Sequence, residues 1–288
     1  MIKPMLAVPM TKGNIVDWND WAIEEKFDGH RLIVCVEKPQ TLRDPGLVQA
    51  WTRPRKHAGD VSGKSMATKS LPPHLVADLS RLPAGIYDGE LLGGETSTDV
   101  TRLDLQATLR FVVFDVLMTR VGSCMMLSYD QRRAILEAYE FGGSVSLAEN
   151  CAVSCEEDVV AFVDLVWKRG GEGAILKRRG AHYQPGKRSP DFVKVKKLQT
   201  VVCTVVGFEA TRGKVLNRGA FATVILRDDR GNETSVKTKD DAELEAFNRQ
   251  AREAPPHPAL GRRLRIEFQD FTPKTGYRHP RWDRWEDE

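Results

Sequence analysis

The texture of the sequence changes near residue 199, and this limits the chain to architectures with two unlike parts. Before that point, strand-like and helix-like stretches alternate. LIVCVE (32–37), IYDGELL (86–92), RFVVFDVLM (110–118), GAILKRR (173–179) and DFVKVKKL (191–198) are rich in branched and aromatic residues and predict strands. PHLVADLSRL (73–82), SYDQRRAILEAYEF (128–141) and EEDVVAFVDLVWKRG (156–170) carry apolar residues at helical spacing. The second opens on a serine cap, and the third is stopped by Gly170-Gly171. Residues 38–73 and the polar run GGETSTDVTRLD between the strand segments predict loops, the latter a mobile one. After residue 199 the chain reads as short strands (VVCTVVGFEA, AFATVILRDD, ETSVKTK, RRLRIEFQDF) joined by Gly/Asp/Asn turns, with one helix, DDAELEAFNRQA.

The 288 residues suffice for two ordinary domains. Lacking a Pro/Gly/Ser linker around Leu198–Thr200, they predict a short hinge between residues 1–198 and 199–288. The expected class is α+β, with a small β-barrel of the OB-fold kind at the C-terminal end. A net charge of only +3 says little about partners, so any nucleic-acid reading must come from local clusters. No stretch approaches the roughly 18 apolar residues of a membrane span. MIKPMLAVPM, with prolines at positions 4 and 9, is not a secretory signal. Scattered cysteines without a CxxC pair fit reduced thiols, and the expectation is a cytoplasmic protein.

The stretch EEKFDGHR (24–31) sets one lysine, Lys26, among carboxylates beside an Asp-Gly turn, with a strand following at once. Most lone lysines are solvated charges. At the mouth of a turn between strands, however, a side chain can project into a cleft. A lysine nucleophile must be neutral, and from a free pKa of about 10.4 this costs roughly 4–5 kcal/mol at pH 7. Neighbouring cations or a bound metal lower that cost. If Lys26 is a nucleophile, basic residues and metal-binding carboxylates must therefore lie near it.

The rest of the sequence supplies them. YDGELL sets Asp88 and Glu90 on one face of a strand, and GEGAILK brings Glu172 to the start of another with Lys177 at its end. KVK puts Lys194 and Lys196 on one face with Val195 turned to the core. Phe114 interrupts an aliphatic strand. Each of these has an ordinary reading alone, as half-exposed strand charge or core aromatic.

Their order is more specific. KFDGHR, Thr52-Arg53, DGELL, FVVFD, GEGAILK and FVKVKKL follow one another as the motifs of the covalent nucleotidyltransferases do. With PMLA near the N-terminus and GRRLRIEFQDFTPKTGYRHPRWDR near the end, the chain resembles the minimal ATP-dependent DNA ligases over about residues 3–285. The resemblance implies a nucleotidyltransferase (ATP-grasp-like) catalytic domain followed by an OB-fold domain. Lys26 would carry AMP. Glu24 would read the adenine amino group, Glu90 the ribose, and Phe114 would stack on the base. Arg31 would hold phosphate, Arg53 the 5′-phosphate of a nick, and Lys194 and Lys196 the α-phosphate. Glu172, with Glu90, would hold Mg²⁺, for which Mn²⁺ substitutes. Arg281 and Arg284 would orient the leaving pyrophosphate. In-line phosphoryl transfer needs such cations around one phosphorus. The acidic end Trp285-Glu286-Asp287-Glu288 departs from the family's sixth motif, which usually finishes on a basic residue.

Between Lys168 and Lys197 there are ten basic residues against two acidic ones, Glu172 and Asp191. Such a segment predicts a phosphate-binding surface on duplex DNA, with Lys177, Arg178 and Arg188 in it and Lys214 and Arg218 adding from the barrel. The expected partner is nicked double-stranded DNA. The expected state is a monomer without an obligatory protein partner, in which two domains clamp the duplex with no separate DNA-binding domain ahead of them. An mRNA capping enzyme using GTP, an RNA ligase, and a non-catalytic DNA-binding protein are the alternatives. The match through 172–198 and the terminal RHPRW favour the DNA ligase.

Overall fold

A computed structural model describes residues 2–10, 15–39, 46–52, 69–196, 199–210, 221–237, 249, 258–268, 270–271, 276–278 and 280–286. The chain divides into two compact units, Met1–Val195 and Lys196–Glu288.

The first unit is built on two sheets. One holds five strands in the order β1 (Leu6–Pro9), β11 (Arg188–Lys196), β10 (Gly173–Arg178), β2 (Trp21–Lys26) and β9 (Asn150–Ala152). The other runs β4 (Leu47–Thr52), β3 (His30–Glu37), β5 (Gly85–Leu92), β6 (Arg110–Thr119) and β7 (Gly122–Ser123), with β8 (Val145–Leu147) parallel to β6. Alternation assigns each sheet an outer and an inner face. Leu32, Val34, Tyr87, Phe111 and Val113 point outward, where they pack with Leu75 and Leu79 of α1 (Pro73–Leu79) and Leu136 of α2 (Tyr129–Glu137). Ile23, Ala174, Leu176 and Val193 point outward from the other sheet onto Val159 and Val163 of α3 (Glu156–Lys168). Between the inner faces, Met5, Ile33, Leu117, Tyr183 and Phe192 form a cluster joined by Ile86 and Ile175. Fully burying each such side chain contributes about 1.5–3 kcal/mol. The layers thus run helices, sheet, sheet, helix, with a partly polar interior.

Two glycines permit this approach. A Cβ on Gly29, in the turn between β2 and β3, would sit 2.3 Å from the Leu91 carbonyl oxygen. One on Gly89 would sit 2.4 Å from Cζ of Phe111.

The structure departs from the sequence reading in two places. Leu47–Thr52 falls in the stretch expected to be a loop, yet it pairs with β3 from Leu32↔Thr52 to Glu37↔Leu47. Ala50 is in the core and Val48 packs against it, an alternation hidden among charges and prolines. The segment expected to be mobile contains 3-10 turns at Asp99–Thr101 and Leu103–Thr108. Asp99 accepts from the backbone N–H groups of Glu95 and Thr96, each at 3.0 Å, while Val100 is buried in the core and anchors the turn.

The second unit is a five-stranded antiparallel sheet in the order β14 (Glu233–Lys237), β13 (Phe221–Arg227), β12 (Gln199–Ala210), β15 (Arg263–Phe268) and β18 (Arg281–Trp285). Its edge strands β14 and β18 approach one another. A small pair, β16 (Asp270–Phe271) with β17 (Tyr277–Arg278), lies beside it in the chain. Cys203, Val205, Val224, Leu226, Leu264, Ile266, Phe268 and Trp282 fill the core. Asp228 ties the β13–β14 turn, accepting from the N–H groups of Arg230 and Asn232 and from the Tyr277 hydroxyl. The expected helix at 240–251 lies outside the described residues, apart from helical Arg249. Among the described residues no helix is long and apolar enough to cross a membrane. All five cysteines are free thiols.

Candidate active site

The inner faces of the two sheets collect the charged residues. On β2, Ile23 faces α3, so Glu24 and Lys26 face inward. On β3, outward Leu32 leaves Arg31 and Ile33 inward, and on β5 outward Tyr87 leaves Asp88 inward. Phe114 is an unpaired extra residue on β6, since Asp88 pairs with Asp115 and Gly89 with Val113. Such a bulge re-aims side chains, and Phe114 packs with Leu92, Val112, Ala148 and Phe27. On β11, Phe192 and Lys194 share a face, and Val195 turns to the α3 side as expected.

Lys26 forms an ion pair with Glu172, both partly buried. The two open onto a cleft of about 360 Å³ whose wall also carries Arg110, Arg169 and Gly93–Gly94. Arg31 makes a bidentate pair with fully buried Asp88, at 2.6 and 2.7 Å. The Tyr183 hydroxyl donates to the same carboxylate. Burial opposes the charge on Arg31, but Asp88 outweighs it and holds the guanidinium ionised beyond its usual range. That guanidinium lies 4.4 Å from the centre of the Phe114 ring, a cation–π contact. Glu90 is pushed up to about 7 by burial, with Arg31 and Lys26 pulling it down and Asp88 and Glu172 raising it further.

Glu24 is buried and held on both oxygens. Oε2 lies 2.6 Å from the Lys177 ammonium, and Oε1 accepts from the Tyr129 hydroxyl at 2.5 Å. Lys177 also donates to the Phe114 carbonyl at 2.9 Å. This corrects one expectation: Lys177 is 4% exposed and not part of a DNA-facing surface. Strand alternation turns it inward while its neighbour Arg178 points out. Of the remaining basic segment, Lys168, Arg169, Arg178, Arg179, Lys187 and Arg188 are exposed. Arg178 lies 3.5 Å from Asp20 and 3.6 Å from Asp191, and Arg188 donates to the Ala7 carbonyl. Arg53, Lys214 and Arg218 lie outside the described residues. Lys196 ends β11 and begins the second unit. Arg281 and Arg284, on β18 of that unit, are both exposed.

Sequence reasoning missed Tyr129, Asn150 and Tyr183. The only advance signal was an aromatic residue directly after the Ser128 cap.

The fold is one shared with solved DNA ligases. A Lig E DNA ligase, whose structure is described as DNA binding with a minimal scaffold, superposes with a TM-score of 0.70 at 19% identity, covering 99% of this chain and 100% of that one. The ligase domain of Mycobacterium tuberculosis LigD gives 0.54 at 23%, covering 100% and 96%. Residues 85–196 match the ATP dependent DNA ligase domain family, and the resemblance drawn from the motif order is borne out. Among curated proteins, the multifunctional non-homologous end joining protein LigD of Mycolicibacterium smegmatis is 29% identical over 217 residues, 73% of this chain and 26% of that protein. A DNA ligase of Archaeoglobus fulgidus is 27% identical over 212 residues, 67% and 35%. The chain thus spans about a quarter to a third of the length of these relatives.

Proposed function

We propose that the chain is an ATP-dependent DNA ligase that seals nicks in duplex DNA through an adenylate on Lys26. The carrying observation is the position of Lys26: it ends a strand, opens on a cleft, and has Glu172 on its amine. In this reading the amine sheds its proton and attacks the α-phosphorus of ATP. A P–N bond forms as the bond to pyrophosphate breaks. An oxygen of the nick's 5′-phosphate then attacks the lysine-bound phosphorus and the P–N bond breaks, and the 3′-hydroxyl attacks the phosphorus of that 5′-phosphate, forming the phosphodiester as AMP leaves.

The other inward residues have matching work. Glu24 accepts from the adenine amino group, and Phe114 offers its ring to the base. Arg31, kept charged by Asp88, holds phosphate, and Lys194 and Lys196 grip the α-phosphate. Arg53 would meet the 5′-phosphate of the nick. Arg281 and Arg284 would steer pyrophosphate, with the second unit as an OB-fold. Arg178 and Arg188, with Lys214 and Arg218, would contact the duplex backbone.

The donor set fits Mg²⁺, which binds through one or two carboxylates with substrate phosphates and water. Glu172 and Glu90 are such carboxylates, the charge of the first near enough to raise the second. They would hold the ion, which when bound offsets charge on the phosphates. Mn²⁺ suits the same ligands. The reading implies a monomer acting in the cytoplasm without an obligatory protein partner.

Incubation with labelled ATP or GTP and Mg²⁺, followed by denaturing electrophoresis, tests this. Label from ATP alone, discharged by nicked DNA, is expected. Label from GTP would mark a capping enzyme, discharge only by nicked RNA an RNA ligase, and absence of label a binding protein.

A further inference from the structure

We propose that Tyr129 is the positioning residue behind nucleobase selectivity: its hydroxyl holds the Glu24 carboxylate in the orientation from which it accepts a purine's 6-amino group. This rests on the reading of Glu24 given above and extends it to a residue outside the recognised motifs.

The hydroxyl is at the centre of a directed chain. The Asn150 side-chain amide donates to it at 2.5 Å, and it donates to Oε1 of Glu24. Asn150 is the register partner of Glu24 across β2 and β9, so the chain spans a single strand pair. With one bond received, the hydroxyl proton is committed to Glu24. Burial and the Glu24 charge push the phenol well above its usual range, so it remains a donor at working pH.

Tyr129 is itself held firmly. It is the first residue of α2, where Ser128 and Gln131 form a reciprocal cap. One turn on, Arg132 makes a buried bidentate pair with Asp115 and donates to the carbonyls of Leu127 and Ala181. The helix start is thereby fixed to β6, beside Phe114.

A competitor gives the hydroxyl its importance. Nη1 of Arg133 lies 3.6 Å from Oε1 of Glu24 and donates to the Ala148 carbonyl. Ala148 packs in the same cluster as Phe114. Without the hydroxyl, Oε1 loses its short partner, while Arg133, a full positive charge on the α2 side, lies 3.6 Å from it. The carboxylate then turns toward Arg133, and the acceptor lone pair meant for the base is lost. A carboxylate acceptor favours a 6-amino purine and repels a 6-oxo purine, so turning it away weakens that preference.

The test uses the full chain, with Tyr129→Phe and Asn150→Ala. Covalent labelling is measured as a function of concentration for ATP and for purine riboside triphosphate, which lacks the 6-amino group. Y129F is expected to raise the half-saturating ATP concentration about tenfold, the size of one lost hydrogen bond to a charged group, while shifting the des-amino nucleotide by less than about twofold. N150A should shift ATP in the same direction by a smaller factor. Equal weakening toward both nucleotides, or no change for ATP, in a variant that melts cooperatively, overturns the proposal. Should Y129F not fold, N150A decides by the same criterion. A wild-type protein that does not favour ATP over the des-amino nucleotide overturns the Glu24 reading and this proposal with it. Absence of label from either nucleotide overturns the ligase reading itself.

Discussion

The ammonium of Lys177 lies 2.6 Å from Oε2 of Glu24, and both side chains are almost fully enclosed between the two sheets. Removing one partner of such a pair leaves a buried charge uncompensated, at a cost of about 3–5 kcal/mol. Lys177→Met is therefore expected to lower the melting temperature markedly. A surface DNA contact would behave otherwise, with a change within about 0.5 kcal/mol and a shallower salt dependence of DNA binding. Thermal melting alongside a salt titration separates the two.

Lys26→Ala is expected to abolish covalent labelling by ATP with little loss of stability. Its ion pair with Glu172 is partly exposed, and such pairs contribute no more than about 1 kcal/mol. The variant should still close nicks that already carry a 5′-adenylate. Mass spectrometry that finds AMP on a peptide without Lys26 would sink the assignment.

Glu90 yields a pH signature. Its folded pKa, about 7, lies above the ordinary glutamate value, chiefly through burial. The folded state therefore binds the proton more tightly than the unfolded chain does. Stability falls as pH rises from the unfolded value to about 7, by on the order of 1–3 kcal/mol, and is level in this respect above that. Glu90→Gln removes the penalty. Its melting temperature should match the wild type in mild acid and exceed it by several degrees at pH 8, while sealing activity is lost. A gain independent of pH would contradict the burial argument.

Asp228 predicts the opposite sign in the second unit. Burial opposes its charge, but hydrogen bonds from Tyr277, Asn232 and the Arg230 N–H hold the carboxyl below its usual range. Its contribution is present above the unfolded value and disappears as pH falls through the depressed folded one. Asp228→Asn should destabilise the protein near neutrality by about 1–3 kcal/mol, and less as the solution is acidified. Melting between about pH 2.5 and 7 checks this. A constant difference would show that shape and not charge holds the turn.

Alternation made the inner face legible in advance. Once Ile23, Leu32 and Val193 are read as core, Glu24, Arg31 and Lys194 must face the other way. Phe114 was visible as an aromatic, but the bulge that aims it was not, because a bulge depends on register between strands far apart in sequence. Lys177 was misread since its charge dominated a local count, whereas its partner Glu24 lies on a strand about 150 residues earlier. Asn150 and Tyr183 carry no signal of their own, and Tyr129 only its place after the Ser128 cap; their roles depend on which carboxylate the fold sets opposite them. β4 was hidden because its neighbours in sequence are polar, and strand pairing is decided by the partner strand.

The turn through Asp28 and Gly29 leaves one sheet and enters the other: Lys26 ends β2, and Arg31 lies near the start of β3. Five residue steps of covalent chain therefore fix the reach between Lys26 and Arg31, whatever the core does. Glu90 is the register partner of Arg31 and shares that tether through the β3–β5 ladder, whereas Phe114, two strands from Arg31 and unpaired in the β5–β6 ladder, is held through the sheet and by packing. Loosening that interface, by heat or by a cavity at Leu117 or Ile33, would then degrade the protein in a set order. On the proposed reading, the Phe114 contact to the base would slacken first, while Lys26, Arg31 and Glu90 still stood together. A partly softened molecule would become less choosy about its nucleotide before it became inert.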